Sequence, residues 1–241
     1  MMQFRIGDKL GAKYDYLNNR SKYVSFKIKT NIKLKYIEYE TIREQMYETH
    51  SEFIPKKGDV VYDIGANYGN YSLIWNQLYQ AKVIAFEPLE ENYLKARRNF
   101  AINPGANIIL YNVAVGDKNG TFETSIDGNM VSVQGSIRRS MKMIRLDDFV
   151  FSEEVQLPII DLMKIDIEGY ELEALKGMAK LLKLTKPKII IETHSSDLMT
   201  SCFRTLEQLG YEMKYIQNKR AGTDKFDLVA ESFWTEKNKV P

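Results

Sequence analysis

The ten residues from 60 to 69 constrain the fold of this chain more than any other segment. They read Val60-Val61-Tyr62-Asp63-Ile64-Gly65-Ala66-Asn67-Tyr68-Gly69. An apolar strand that ends in an acid and runs into a glycine-rich turn is typical of the carboxyl edge of a parallel sheet, where nucleotide-like ligands bind. Glycine lets the backbone approach a ligand closely, and the N–H groups that begin the next helix favour polar or anionic ligand atoms.

The spacing of this turn narrows the class of ligand. Asp63, Gly65 and Gly69 follow the pattern Asp-x-Gly-x-x-x-Gly, which is neither the Gly-x-Gly-x-x-Gly of dinucleotide enzymes nor the Gly-x-x-x-x-Gly-Lys of phosphate loops. Glu87 ends the next predicted strand, at roughly the spacing at which a carboxylate accepts both ribose hydroxyls of an adenosine-containing cofactor. An acid before proline also caps helices, so Glu87 has a purely structural alternative.

Composition favours one large α/β domain with a small appendage. The chain has 241 residues, of which 44% are hydrophobic and 27% charged, enough to bury a sizeable core. Its single cysteine, Cys202, excludes an internal disulfide and a multi-cysteine zinc site. The sequence has no apolar run long enough for a secretory signal or a membrane span, and its net charge of +2 gives no argument for nucleic acid. We therefore expect a cytoplasmic protein with no transmembrane segment.

Residues 1–53 are predicted to form an accessory segment. Apolar residues alternate from 23 to 37, as in a hairpin that turns near Thr30 and Asn31, and residues 38–53 have a helical pattern. The segment is too small to bury much core, so we expect a lid or a dimer element through which a homo-oligomer could form. Residues 1–50 hold ten Lys and Arg against six Asp and Glu, which suits either an acidic acceptor or a solvated face.

Residues 54–241 are predicted to form the main domain, an α/β fold with a parallel sheet covered by helices on both faces. Strands are expected at 60–64, 82–86, 107–114, 159–165 and 188–193, followed by an antiparallel hairpin of 211–217 and 226–231. Helices are expected at 67–79, 90–102, 169–184 and 196–210. Between residues 117 and 158 this alternation gives way to short strand-like pieces, 121–126 and 141–146. Such an insertion at a sheet edge commonly selects the substrate.

Ionisable side chains follow the fourth and fifth predicted strands. Lys164, Asp166 and Glu168 share one parity where a buried parallel strand should be apolar, which indicates a site. The structural alternative is that Lys164 pairs with Asp166 and that Glu168 caps the next helix. Glu192 and His194 end the following strand, and His194 is placed to act as a general base or a metal ligand.

With these residues in view, the chain resembles the class I S-adenosylmethionine-dependent methyltransferases of the FkbM type. The matching elements are Asp63-Ile64-Gly65-Ala66-Asn67-Tyr68-Gly69, Phe86-Glu87-Pro88, Asn112-Val113-Ala114-Val115-Gly116-Asp117, Arg145-Leu146-Asp147-Asp148-Phe149, Lys164-Ile165-Asp166-Ile167-Glu168-Gly169 and Ile191-Glu192-Thr193-His194. They occur in order and leave residues 1–50 and the terminal hairpin largely uncovered. Their combination is far more specific than the first turn alone.

The resemblance implies a Rossmann-like fold whose seven-stranded, mostly parallel sheet has the order 3-2-1-4-5-7-6. In that order the first, fourth and fifth strands are neighbours, so their polar ends converge on one edge. The converging residues would be Asp63, Asp166, Glu168, Glu192 and His194.

The resemblance also implies S-adenosylmethionine as the cofactor, bound at the first three strand ends. The turn would pack on the methionine part of the cofactor, Glu87 would hold the ribose, and a residue within 112–114 would lie beside adenine. The cofactor-binding candidates are Asp63, Gly65, Ala66, Asn67, Tyr68, Gly69, Glu87, Pro88, Asn112 and Val113.

Members of this family commonly O-methylate sugars or natural-product hydroxyls, so the resemblance implies a small-molecule or glycan acceptor. In-line displacement at a sulfonium requires an activated hydroxyl, and Asp166, Glu168 and His194 are the candidate bases. Asp166, Glu192 and His194 could instead hold a divalent ion, which we do not expect to be required. The alternatives are N-methylation, a nicotinamide oxidoreductase, a non-catalytic cofactor-binding scaffold, and a nucleic-acid methyltransferase, for which no base-handling motif or long basic stripe is visible.

Overall fold

The computed structural model describes residues 5–6, 10–11, 24–25, 32–36, 49–127, 130–132, 137–151, 159–221 and 228–237. The longer segments contain eleven strands: β1 (Val60–Ile64), β2 (Lys82–Phe86), β3 (Ile108–Tyr111), β4 (Ala114–Val115), β5 (Gly120–Asp127), β6 (Met130–Ser132), β7 (Ile137–Ile144), β8 (Leu162–Ile165), β9 (Lys188–Thr193), β10 (Tyr211–Ala221) and β11 (Leu228–Glu236). The α-helices are α1 (Asn70–Tyr79), α2 (Glu90–Ala101), α3 (Leu146–Phe151), α4 (Glu171–Gly177), α5 (Ala179–Thr185) and α6 (Ser196–Gln208).

Seven of these strands form the central sheet, in the order β3-β2-β1-β8-β9-β11-β10. Counted along the chain within this sheet, the order is 3-2-1-4-5-7-6, as predicted. The first five strands run parallel, and β11 runs antiparallel to both β9 and β10. The carboxyl ends of β1, β8 and β9 therefore lie side by side.

The central sheet is covered on both faces. Alternation along β1 sends Val61 into the same core cluster as Trp75 of α1, whereas Tyr62 and Ile64 belong to the cluster that includes the buried residues of α4, α5 and α6. Because helices occupy both faces, the strand ends are the open part of the sheet at which a ligand can bind.

Two predicted elements are divided in the structure. The predicted strand 107–114 leaves the central sheet after Tyr111, because the side-chain amide of Asn112 donates to the carbonyl oxygens of Glu87 and Pro88 and turns the chain. The predicted helix 169–184 breaks at Met178, whose φ of −124° lies outside the helical region. The remaining predicted helices and strands agree with the structure within a few residues at most ends.

The first helix begins later than predicted, and the last hairpin is longer. Residues 67–69 remain outside α1 because Asn67 and Gly69 have positive φ angles of 49° and 70°. The hairpin of β10 and β11 extends to Ala221 and begins again at Leu228, and its turn lies outside the described residues.

The insertion between residues 117 and 158 forms much of a second sheet, in the order β6-β5-β7-β4. Phe122 of β5 and Met141 and Met143 of β7 are buried against Ala114 and Leu89, so this sheet packs beside the ends of β2 and β3. The strand predicted at 141–146 ends at Ile144, and α3 follows it. Residues 152–158 lie outside the described part.

The predicted front hairpin is present as antiparallel pairing of Val24–Ser25 with Lys33–Leu34. A second pairing joins Arg5–Ile6 to Leu10–Gly11. The predicted turn at residues 30–31 and most of the predicted helix 38–53 lie outside the described residues, and its last part, Ser51–Phe53, is a short 3-10 helix. Within the part of the chain that the structure describes, no helix has both the length and the apolar content needed to cross a membrane.

Candidate active site

The glycine-rich turn after β1 packs directly on the chain that leaves β8. Gly65 has a φ of 82°, and a Cβ atom added there would lie 1.8 Å from the backbone oxygen of Asp166. The N–H groups of Gly65 and Ala66 both donate to the Phe86 carbonyl at 3.0 Å. Only glycine fits position 65 without moving the backbone, because both the φ angle and the close contact exclude a side chain.

Lys164 ties the turn to the end of β8. Its ammonium is buried, donates to the Gly65 carbonyl at 2.5 Å and lies 3.3 Å from Asp63 Oδ1 and 3.6 Å from Asp166 Oδ2. The other oxygen of Asp63 accepts from Ser72 Oγ at 2.5 Å. Asp63 is therefore engaged inside the protein, where it orients the turn, and the pairing of Lys164 with Asp166 considered from the sequence is present.

Glu87 lies against the other side of the turn. Its Oε2 accepts the Asn67 N–H at 2.8 Å and its Oε1 accepts the Leu89 N–H at 2.9 Å. The carboxylate is buried, so it is held in one orientation at the mouth of β2. Glu87 thus also plays part of the helix-capping role that the sequence allowed, because one of its oxygens accepts a hydrogen bond from Leu89, the residue that precedes α2.

A largely apolar cleft opens beside this turn. It is bordered by the turn, the ends of β2 and β4 and the second sheet. The residues that line this apolar cleft are Ile64, Gly65, Phe86, Pro88, Val113, Ala114, Val115, Phe122, Met143, Ile167 and Tyr170. A second, neighbouring cleft contains Asn112. Of the residues predicted near adenine, Val113 and Ala114 face this cleft. Pro88 borders both clefts, whereas Asn112 reaches only the neighbouring one.

A cluster of carboxylates surrounds His194 at the ends of β8 and β9. The Nε2 atom of His194 lies 3.4 Å from Glu168 Oε2, 3.7 Å from Asp166 Oδ1 and 3.7 Å from Glu192 Oε1. Through Lys164 this cluster is continuous with Asp63. The structure thus brings together the side chains that the sequence placed at this edge.

Glu171 also belongs to the cluster, and it was not predicted from the sequence. It is fully buried at the start of α4, and its Oε1 lies 3.1 Å from His194 Nδ1 while accepting the N–H groups of Ile167 and Gly169. An acid in the first turn of a helix interacts favourably with the helix dipole. Its presence there therefore does not by itself indicate a functional site. Glu168 has a positive φ of 56° and precedes α4, so its three-residue spacing from Glu171 gave no helical signal.

Burial and neighbouring charges shift the pKa values of two residues in this cluster. Burial raises the pKa of Glu168 to about 7, with Asp166, Glu192 and Glu171 adding to the rise and His194 opposing it. Burial alone would lower the pKa of His194. The hydrogen bond to Glu171 and the charges of nearby carboxylates raise it instead, to about 10. The protein alone therefore holds a cationic imidazolium among these carboxylates at neutral pH.

The other histidine lies elsewhere. The ring of His50 stacks on that of Tyr215 with 3.8 Å between centroids and meets Phe233 edge to face. It takes no part in the cluster around His194.

The fold and this strand-end arrangement are those of a Rossmann-like methyltransferase, and comparison with known proteins identifies the family. Residues 63–213 match the methyltransferase FkbM domain. The chain belongs to the FkbM methyltransferase family.

Relatives of this chain include proteins that are named methyltransferases. The hexuronic acid methyltransferase AglP of Haloferax volcanii is 35% identical over 145 residues, which cover 58% of each protein. The match thus spans less than two thirds of AglP. The methyltransferase sdnD of Sordaria araneosa is 25% identical over 232 residues, which cover 80% of this chain and 89% of sdnD.

Solved structures share the fold. The methyltransferase FkbM from Methylobacillus flagellatus has a TM-score of 0.55 at 20% identity and covers 78% of this chain and 47% of its own. A precorrin-6y C5,15-methyltransferase from Geobacter metallireducens has a TM-score of 0.53 at 18% identity, and the match covers 84% of this chain and 90% of the Geobacter protein. At these identities the likeness concerns the fold alone.

Proposed function

We propose that this methyltransferase transfers the methyl group of S-adenosylmethionine to a hydroxyl of a sugar or a small natural product. The observation that carries the proposal is the contact of Gly65 with Asp166, which brings the glycine-rich turn, the proposed cofactor site, against the carboxylate cluster, the proposed acceptor site. AglP, by its name, methylates a hexuronic acid, and this supports a sugar as the acceptor.

The cofactor would bind along the ends of β1 to β4. Asn67 and the turn would contact its methionine part, Glu87 would accept its ribose hydroxyls, and Val113 would lie at its adenine. Glu87 suits this role because its buried carboxylate is held at the end of β2 by the N–H groups of Asn67 and Leu89, beside the turn. The sulfonium would then lie near Gly65, facing Asp166.

The acceptor hydroxyl would approach from the carboxylate cluster. Its oxygen forms a bond to the methyl carbon as the carbon–sulfur bond breaks, and its proton passes to a protein base. Asp166 and Glu168 are better placed as that base than His194. The Nδ1 atom of His194 is occupied by Glu171, and its Nε2 atom faces three carboxylates. His194 would instead orient these carboxylates.

Cofactor binding is tested by calorimetry with S-adenosylmethionine and S-adenosylhomocysteine. We expect both to bind the wild-type protein and Glu87→Ala to weaken both at least about tenfold, because two charge-assisted hydrogen bonds to the ribose are lost. Glu207→Ala, an exposed position on α6, is the matched control and should bind as wild type. Absence of binding by folded wild-type protein would refute the cofactor assignment.

The chemistry is tested by an acceptor screen in which the product is detected as the mass gain of one methyl group. Hexuronates, neutral sugars, amines and nucleic acid together separate O-methylation from the other methyltransferase classes. We expect Asp166→Asn or Glu168→Gln to lower kcat about 100-fold or more while leaving S-adenosylhomocysteine affinity within a few-fold. Glu173→Gln, on α4 but paired with Lys176 and not with His194, is the control. Unchanged turnover in both variants would remove these carboxylates as bases.

A further inference from the structure

The cluster around His194 contains a set of atoms suited to a metal ion. One ligand atom each from Asp166, Glu192 and His194 can be chosen so that all lie within 4.8 Å of one another. His194 Nε2 is 3.7 Å from an oxygen of each of the other two. Ligands that surround one small divalent ion at about 2.1 Å lie roughly 3 to 4 Å apart. Contraction by less than about 1 Å would bring these atoms into that range.

The orientation of His194 points its Nε2 atom towards Asp166 and Glu192. Its Nδ1 lies 3.1 Å from Oε1 of the fully buried Glu171, and that oxygen is fixed by the N–H groups of Ile167 and Gly169. Histidines that bind metals usually donate their second N–H to a carboxylate or a carbonyl, which fixes the tautomer and aims the coordinating nitrogen. Glu171 stands in that position relative to His194.

The charges of the cluster also favour a cation. Asp166, Glu168, Glu171 and Glu192 surround His194, and the ammonium of Lys164 lies between Asp166 and Asp63. The second oxygen of Glu171 is buried and has no hydrogen-bonding partner among the described residues. These four carboxylates outnumber the Lys164 ammonium and the His194 ring, and carboxylates gathered in a partly buried site repel one another unless cations offset their charge.

We propose that Asp166, Glu192 and His194 bind one divalent first-row transition cation at the acceptor end of the site, with Glu168 as a further ligand or neighbour. Two carboxylates and one imidazole suit an ion such as Mn²⁺, which accepts both oxygen and nitrogen ligands. Binding of the ion stands on the cluster alone, whereas its role in methyl transfer rests on the proposed function. An acceptor hydroxyl bound to the ion would lose its proton to a neighbouring carboxylate more readily than a free alcohol.

Mn²⁺ binding can be measured directly on the full chain. Protein stripped with a chelator is titrated with Mn²⁺, and the free ion is counted by its electron paramagnetic resonance signal. We expect one Mn²⁺ per chain in the wild-type protein. Binding should weaken at least tenfold in Glu192→Gln and in His194→Gln, and by about 10- to 100-fold in Glu171→Gln. Glu207→Gln is the control and should retain wild-type affinity.

A spectroscopic measurement on wild-type protein tests the site without relying on variants that could misfold. Coordination by His194 predicts nitrogen coupling from one imidazole in the electron spin echo modulation of bound Mn²⁺. Absence of stoichiometric binding, or binding without this coupling, would overturn the proposal. Calorimetry with S-adenosylhomocysteine on the same sample separates the proposed function from the proposed metal site. If the protein binds S-adenosylhomocysteine but no Mn²⁺, the proposed function stands and the metal site is refuted.

Discussion

At the scale of single residues, the site is organised by charged side chains that the protein holds inside it. Lys164 reaches from β8 to the carbonyl of Gly65 and to two carboxylates, and Glu171 holds the ring of His194. The sequence placed Asp166, Glu168, Glu192 and His194 at or just after the ends of two predicted strands, and the resemblance to the family implied that these ends meet at one edge. It did not predict Glu171, because an acid at the start of a helix has an ordinary local explanation.

A buried phenol gives a residue-scale prediction about pH. Burial, and to a lesser degree Tyr111, raises the pKa of Tyr62 to about 12. The unfolded chain ionises this group near pH 10, so its contribution to stability is complete below about pH 10 and is lost as the pH rises towards 12.

We therefore expect Tyr62→Phe to be less sensitive to alkali than the wild-type protein. The loss of unfolding free energy between pH 8 and pH 11, measured by urea titration, should be about 1 kcal/mol smaller in the variant. Tyr93→Phe, at a partly exposed position of α2, should follow the wild type. Equal losses in Tyr62→Phe and the wild type would contradict the assignment.

At the scale of elements, the strands with an unbroken apolar run were the most predictable. β1, β2 and β9 have the predicted bounds because a strand covered on both faces is apolar along most of its length. The divided elements were not predictable, because their causes lie far away in sequence. Asn112 turns the chain through the carbonyls of Glu87 and Pro88, and these contacts exist only after folding.

One such distant contact joins α4 to the second sheet. A Cβ atom on Gly177 would lie 1.8 Å from the backbone oxygen of Gly116, which follows β4. We expect Gly177→Ala to lower the free energy of unfolding by about 1 to 3 kcal/mol, because two backbone segments must separate. Lys176→Ala, one residue earlier and exposed, should change it by less than about 0.5 kcal/mol. Thermal and urea unfolding measure both, and equal effects would show that the helix can shift freely.

At the scale of the whole molecule, the front segment (the accessory segment of residues 1–53) is attached to the main domain close to the turn after β1. The topology of that domain followed from the alternation of strands and helices and from the resemblance to its family. The front segment was less predictable, because short strands carry little pattern. Ile32 and Leu34 are nevertheless buried in the main core, so residues 32–34 belong to the fold of the main domain.

Asn99 of α2 connects these parts. Its Oδ1 accepts the N–H groups of Lys35 and Tyr36, and its Nδ2 donates to the carbonyls of Tyr36 and Tyr68. We expect Asn99→Ala to lower the free energy of unfolding by about 3 kcal/mol, because several part-buried backbone groups lose their partners.

The same variant should bind S-adenosylhomocysteine more weakly, because Tyr68 belongs to the turn that would hold it. Calorimetry at a temperature where the variant remains folded measures this effect, with Arg97→Ala on the exposed face of α2 as the control. A destabilised variant with wild-type affinity would show that the front segment and the turn act independently.

The contact between Gly65 and the Asp166 carbonyl leaves no space for a side chain between the proposed donor half of the site and its proposed acceptor half. A change of acceptor made by exchanging the segment after β8 with that of another methyltransferase would therefore also reposition the turn after β1. Engineering of this enzyme would have to transplant the two segments as a pair, whereas the second sheet, which borders the cleft from outside, offers positions where selectivity can be altered alone.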